Sequence, residues 1–262
     1  MTKYDNSLTS KKKKLPQKSD HLKRMGVDLG DCDFVVALGG NPNTGKSTVF
    51  NNLTGLRQHT GNWPGKTVTR AMGAFKFGGK IFKIVDLPGT YSLLAITEDE
   101  EIARDFILFG RPDVTVVVVD STCLERNLNL VLQVLEITDN VVVDLNLMDE
   151  ANRHHLKIDI QKLSDILGVP VVPTVARYNK GMDALITTIN EVATGQRECK
   201  PYRIITESSE LKQAIDRLAG EIRIVYPQLS NVRWLAMRLL DGDQKMIEAF
   251  RTGAFDEIAR NL

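Results

Sequence analysis

The sequence is short of cysteine, of net charge and of long apolar runs, and each shortage removes a class of function. Its three cysteines, Cys32, Cys123 and Cys199, stand far apart and form no CxxC pair, which argues against a disulfide framework and a structural metal site. A reducing, cytoplasmic setting is expected. The formal net charge is only +1, so the overall balance calls for no nucleic-acid partner. Four consecutive lysines, at 11–14, read as a solvated tail in preference to a contact with anionic lipid or RNA. The longest apolar stretch, 114–119 with Thr115 inside it, falls far short of the roughly 18 residues that mark a membrane span. The chain by itself is therefore expected to be soluble. No signal-peptide hydrophobic region occurs within 1–30, so secretion is not indicated.

With 262 residues, 42% of them hydrophobic, the chain is long enough to bury the core of one substantial α/β domain and to carry a small helical appendage. Residues 1–30 are polar, Lys-rich and without hydrophobic periodicity, and are expected to form a disordered tail. From 31 to 198, short β-rich runs alternate with helical patterns: FVVALG (34–39), KIFKIVD (80–86), VTVVVVD (114–120), NVVVDLN (140–146) and VPVVPTV (169–175). Several are continuously apolar, as strands buried on both faces must be. A mostly parallel sheet with helices on both faces follows. Beyond 198 the strand signal disappears, and Leu211, Ile215, Leu218 and Ile222 recur at helical spacing before WLAMRLL (234–240) and QKMIEAF (244–250). A small all-α domain over 199–262 is expected.

Chemistry enters at GNPNTGKS (40–47), which fits GxxxxGK[ST], follows an apolar strand and precedes a helical stretch. This is the P-loop context. Gly40 and Gly45 let the backbone turn its N–H groups toward phosphate, and the helix opening near Lys46 presents its positive end. Lys46 neutralises β- and γ-phosphate oxygens, and Ser47 supplies an oxygen to octahedral Mg²⁺. Asn41, Asn43, Thr44 and Thr48 complete the expected lining. A second motif, DLPG (86–89), ends the KIFKIVD strand about 40 residues after Lys46. There Asp86 would hold Mg²⁺ through water and the Gly89 N–H would meet the γ-phosphate. Between the two motifs lies a loop, GNWPGKTVT (61–69), whose Thr67 is the expected ligand of Mg²⁺ and γ-phosphate when GTP is present.

Guanine is separated from adenine by NLMD (146–149) at the end of another apolar strand. The Asp149 carboxylate can accept from guanine N1–H and the exocyclic amine, which adenine cannot offer, with Asn146 and Met148 beside it. The backbone around Val175 and Ala176 would touch guanine O6. Thr90 follows DLPG where Ras-like proteins place a water-orienting glutamine, so slow turnover or dependence on a supplied charge is expected. The reading is a P-loop NTPase with a Ras-like G domain that binds GTP and GDP.

Together, GNPNTGKSTVFNNLTG (40–55), HTGNWPGKTV (59–68), DLPGTYSL (86–93), EDEEIARDF (98–106) and NLMDEA (146–151) resemble the cytosolic N-terminal part of FeoB, the bacterial ferrous-iron transport family. The resemblance runs from about Asp33 to the end. It implies a GTPase joined to a membrane-embedded iron permease, in the same or a companion chain, at the cytoplasmic face of the inner membrane. It also implies that the helical segment is a nucleotide-dissociation-inhibitor-like domain. Relatives activated by K⁺ hold the ion with a P-loop asparagine, here Asn43, and backbone carbonyls matching Gly61 to Trp63 would complete its shell. The ion would act where an arginine finger's charge acts in other GTPases. Leu147 replaces the lysine of NKxD, which removes packing over the P-loop and base but leaves Asp149, and Val175 replaces a serine of the fifth motif, which leaves looser base contact and quicker GDP release open.

His154 and His155 read as exposed helix residues in preference to an iron site, Trp63 as a surface residue of the loop, and Trp234 as core. Glu98, Asp99, Glu100 and Glu101 suit a helix start. Two other functions stay open at this stage: an occupancy switch that docks a partner with negligible hydrolysis, and an RNA- or ribosome-associated GTPase. Oligomerisation and small cytosolic accessory proteins are also left open.

Overall fold

The computed structural model describes residues 22–23, 25–28, 30–55, 58–94, 97–203, 208–227, 229 and 231–253. Seven strands form one sheet: β1 (Phe34–Gly40), β2 (Gln58–Asn62), β3 (Thr69–Phe77), β4 (Lys80–Asp86), β5 (Val114–Asp120), β6 (Val141–Asn146) and β7 (Val171–Pro173). Their order is β2-β3-β4-β1-β5-β6-β7, with β3 antiparallel to both of its neighbours and the other pairs parallel. The five β-rich runs of the sequence are strands. The sequence reading missed β2 and β3, because β2 has no apolar residue to mark it and the loop assigned to 61–69 overlaps the ends of both. The register sets Leu38 beside Asp86, Gly40 beside Val118 and Asp120 beside Asn146. All the motif-bearing strand ends therefore open on one edge, the place where open α/β sheets bind ligands.

Alternate residues of the central strands feed two cores. Helices α1 (Lys46–Thr54) and α6 (Met182–Ala193) cover one face, over Val36, Leu38, Ile84, Val116, Val118 and Val142. Helices α2 (Glu98–Phe109) and α3 (Leu124–Ile137) cover the other, over Val35, Ala37, Val117, Val143 and Leu145. Both faces being dry explains the unbroken valine runs. Between them in sequence come α4 (Met148–Arg153) and α5 (Ile160–Leu167). Thr97 caps α2 reciprocally with Glu100, so the acidic start is a capping box.

Helices α7 (Ser209–Val225), α8 (Val232–Leu240) and α9 (Gln244–Arg251) continue the α2/α3 core through Ile215, Ile222, Trp234 and Leu235. Trp234 is core, as its place in the apolar run implied. The boundary expected at 198/199 cuts a segment still attached to the sheet domain: the Lys200 and Tyr202 N–H groups donate to the carbonyls of Gly168 and Leu167. No helix among the described residues is long and apolar enough to cross a membrane.

The expected tail needs correction at its inner end. Leu22 and Val27 are fully buried in the α2/α3 core, and Arg70 donates to the Met25 carbonyl at 3.0 Å. Their spacing is too short to register as periodicity. The lysine run at 11–14 lies outside the described residues. Leu22→Ala is expected to cost about 2–5 kcal/mol of unfolding free energy, as for other large-to-small core changes, measured by denaturant titration.

Asp144 is the one fully buried acid on β6, flanked in register by Val118 and Val172. Burial raises its carboxyl to about 7, against the pull of a hydrogen bond from Thr174. Because the folded value lies above the ordinary 3.8, the folded state holds the extra proton between the two, and the associated stability disappears as pH rises to about 7. The wild-type chain is thus expected to lose about 4 kcal/mol relative to Asp144→Asn across that window, read as the pH dependence of the difference in their unfolding free energies.

Candidate functional site: a nucleotide cradle at the strand ends

The P-loop leaves β1 at Gly40 and enters α1 at Lys46. Both glycines are obligatory here. Gly40 has φ 156° and a Cβ on it would meet the Val118 carbonyl at 2.6 Å; Gly45 has φ 85° and a Cβ would meet Asn146 Nδ2 at 2.4 Å. Asn43 is left-handed as well, with φ 67°, a conformation asparagine tolerates better than most side chains, and it is exposed. Thr44 braces the turn by donating to the Asn41 carbonyl at 3.0 Å. Among the described residues, the backbone N–H groups of Asn43, Thr44, Gly45, Lys46 and Ser47 find no protein acceptor. Five unused donors at the start of a helix make an anion cradle. Asn41 is buried with both amide atoms unpartnered, a further polar group that this conformation leaves unsatisfied.

The second motif lies against the first. Lys46 Nζ meets Asp86 Oδ1 at 2.5 Å, and the Thr90 N–H donates to the Gly40 carbonyl at 3.2 Å. Burial pushes the Asp86 carboxyl up, with the Lys46 charge pulling it back. Gly89 stacks beside Pro42, close enough that an added Cβ would be in contact at 3.5 Å. Thr90 is buried and spends its hydroxyl on the Ser92 carbonyl at 2.8 Å, so it presents nothing to orient water.

The residues expected to read the base converge through amides. Asn146 Nδ2 donates to the Thr44 carbonyl at 3.0 Å, while its Oδ1 accepts from the Ala176 N–H at 3.0 Å. Asn52 of α1 donates to the Ala176 carbonyl at 2.6 Å, and the Met148 N–H donates to the Thr174 carbonyl at 3.2 Å. Thr174 lies within 2.5 Å of Asp144 and 3.2 Å of Asn146 Oδ1. Val175 N–H is taken by the Lys180 carbonyl at 3.0 Å. In this conformation the N–H groups of Val175 and Ala176 are thus committed within the protein, which differs from the free contact with guanine O6 expected of them.

Leu147, left-handed at φ 62°, turns the chain into α4 and puts Asp149 in its first turn. Asp149 does not stand alone: Arg177 forms an ion pair with it, reaches Glu150 at 3.1 Å and lies over the Tyr178 ring. Asp149 Oδ1 remains buried and unpartnered. The carboxylate raises the Arg177 guanidinium above its ordinary value. Sequence reasoning missed Arg177, and the signal available was an arginine directly following Val175 and Ala176.

The loop between the motifs stays apart from the cradle. No hydrogen bond ties Gly61, Trp63 or Thr67 to the P-loop among the described residues; Gly61 pairs with Arg70 across β2 and β3, and Thr67 is exposed. The reading of Trp63 as a surface residue is overturned. It is 4% exposed, packs edge-on against Phe106 at 5.6 Å, and its carbonyl accepts from the Lys66 N–H at 3.0 Å. An indole gains far more by burial than the proline and glycine beside it. Lys66 faces Glu98 and Glu101 at 3.8 and 3.6 Å, and Lys245 of α9 shares Glu101 at 3.2 Å. His154 and His155 are exposed, and no cluster able to hold a metal through histidine, cysteine or carboxylates occurs among the described residues.

A family model described as ferrous iron transport protein B matches residues 34–189. The Fe(2+) transporter FeoB of Escherichia coli (strain K12) is 41% identical over 214 residues, covering 80% of this chain and 27% of the relative. That of Salmonella typhimurium gives the same identity and coverage. The chain thus spans about a quarter of the length of these relatives. Among solved structures, the cytosolic domain of L. pneumophila FeoB is 35% identical with a TM-score of 0.75, covering 84% of this chain and 86% of that one. The T. maritima FeoB cytosolic domain in a GDP form is 34% identical with a TM-score of 0.74, covering 87% and 85%. The chain belongs to the FeoB family of ferrous iron transport proteins.

Proposed function

We propose that this chain is a guanine-nucleotide switch that hydrolyses GTP slowly with Mg²⁺ and K⁺ and serves a ferrous-iron permease. The observation that carries this reading is the row of five acceptor-free N–H groups at Asn43–Ser47, held in place by the Asn146 amide. A diphosphate or triphosphate supplies the acceptors that the row lacks. Lys46 then exchanges Asp86 for phosphate oxygens, and Asp86 becomes available for the metal's water shell. Ser47, Asp86 and, after the loop closes, Thr67 would hold Mg²⁺, which supplies charge neutralisation at the transferring phosphoryl group. Asn43 and the carbonyls of Gly61 and Trp63 would hold K⁺, which supplies positive charge where no arginine is present. The Trp63 carbonyl must first leave Lys66, so the loop has to rearrange. Gly89, seated beside Pro42, is placed to sense the γ-phosphate.

Inward-turned Thr90 supports slow chemistry, since it stands where Ras-like proteins place a water-orienting glutamine and its hydroxyl is spent on the Ser92 carbonyl. Asp149 supports guanine over adenine, because its buried Oδ1 would gain a donor from guanine and none from adenine. The structures of relatives with bound GDP support a diphosphate state, and coupling to a permease rests on the transporter relatives.

Phosphate release in Mg²⁺ is expected from GTP and not from ATP, faster in K⁺ than in Na⁺ at matched ionic strength. Asn43→Gly keeps the left-handed turn while deleting the carboxamide, and should abolish the K⁺ effect; equal rates in both salts with the wild-type chain would remove the ion's role. Arg177→Ala should bind fluorescent GDP a few-fold more tightly, because the base no longer competes with the guanidinium for Asp149. Weaker binding would instead make Arg177 a support for the base.

A further inference from the structure

Beneath the base-reading loop lies a buried acid that the switch chemistry above does not use. Asp144, Thr174, Asn146 and Thr44 form a chain of polar groups running from the interior of β6 to the P-loop. We propose that Asp144 is a positioning residue for the bound guanine nucleotide, its protonation fixing the P-loop and the base loop together through Thr174 and Asn146 and its ionisation loosening them. The inference rests on the nucleotide-site reading given above.

The hydrogens available at this chain are fewer than the acceptors they must serve. Thr174 has one hydroxyl hydrogen and two acceptors in reach, Asp144 Oδ1 at 2.5 Å and Asn146 Oδ1 at 3.2 Å. Asn146 cannot turn its amide around, because Nδ2 is needed by the Thr44 carbonyl and Oδ1 by the Ala176 N–H. When Asp144 is ionised it accepts only, so the hydroxyl hydrogen goes to the carboxylate, the stronger acceptor. The oxygens of Thr174 and Asn146 then face each other with no hydrogen between them. When Asp144 carries a proton, the acid donates to Thr174 Oγ1 and the Thr174 hydroxyl is free to donate to Asn146 Oδ1. All donors then run in one direction, from Asp144 to the Thr44 carbonyl, and such chains strengthen cooperatively. The proton converts one repulsive contact into one hydrogen bond, at the residue that clamps both the P-loop and the base loop.

The surroundings favour this exchange near neutrality. Asp144 Oδ2 is buried without a partner, which is tolerable for a neutral carbonyl and costly for an anion. Val118 of β5 and Val172 of β7 flank it in register. The ionisable groups of the packed elements are engaged or exposed: Lys46 of α1 on Asp86, Asp120 of β5 on the Thr122 N–H and hydroxyl, Cys199 on the Val141 carbonyl, Glu191 of α6 near Arg197, Arg177 on Asp149, with Asp183 and Lys180 exposed to solvent. No neighbouring charge contributes to the raised value of about 7, which comes from burial offset by Thr174.

The test is the dissociation rate of fluorescent GDP from this chain in Mg²⁺, followed by stopped flow from the acid to the alkaline side of pH 7. Release should quicken on the alkaline side by about fivefold, the worth of one neutral hydrogen bond. Asp144→Asn, whose carboxamide donates to Thr174 as the acid does, should be slow and pH-independent. Thr174→Val should be fast and pH-independent, whereas Thr174→Ser should restore the step, an outcome that loss of packing would not give. A flat wild-type profile overturns the proposal, as does a step that persists in Asp144→Asn. Should Asp144→Asn fail to fold, the Thr174→Val and Thr174→Ser pair decides alone. Failure to bind GDP at every pH would overturn the nucleotide-site reading as well, whereas pH-independent release of bound GDP overturns this inference only.

Discussion

One side-chain amide holds the site together. Asn146 donates to the Thr44 carbonyl of the P-loop and accepts from the Ala176 N–H of the loop after β7, joining three segments that are remote in sequence. Its burial makes each of these bonds count, since an unpaired amide in a dry interior is costly. The requirement propagates outward. Gly45 must lack a side chain because Asn146 Nδ2 occupies the space where a Cβ would stand, and the Ala176 carbonyl is free to accept from Asn52 of the P-loop helix. Strand register brings the clamp within reach, because Asp120 and Asn146 end abreast at the edge where Gly40 also emerges.

Around that frame, the structure pairs off charges of opposite sign. Lys46 is on Asp86 and Arg177 is on Asp149, so each charged group of the cradle already has a partner of opposite sign. A ligand must exchange these pairs, and only the difference between the old and new partners contributes to its affinity. The loop bearing Thr67 is likewise held elsewhere, with Trp63 against Phe106 and Lys66 facing Glu101. Closing this loop onto a nucleotide would therefore cost the burial of an indole. That is a physical basis for two discrete positions in preference to a continuum.

The helical part touches the same elements. Lys245 shares Glu101 with Lys66, so one carboxylate faces both the loop bearing Thr67 and α9. On the other side a cleft of about 430 Å³ separates Leu93 and Leu94, just after DLPG, from Trp234 and Met237 of α8. The Leu93 N–H is fixed to Gln133 of α3 at 2.6 Å at the rim of this cleft.

Sequence alone determined the parallel strands, the P-loop, the DLPG and NLMD motifs and the helical end, because each is written in local chemistry: apolar runs for strands buried on both faces, glycines where backbone must approach a ligand, a helix period for α7. It could not show β2 and β3, whose pairing comes from neighbours and not from their own residues. It placed Trp63 at the surface, since nothing in NWPG says that Phe106 waits for it, and it ended the tail at 30, since Leu22 and Val27 are core only where α2 ends. Arg177, Asp144 and Thr174 were invisible as a set for the same reason. Their chemistry lies in which oxygen faces which hydrogen, a relation created when β6, β7 and the P-loop come together, and only the tertiary structure decides it.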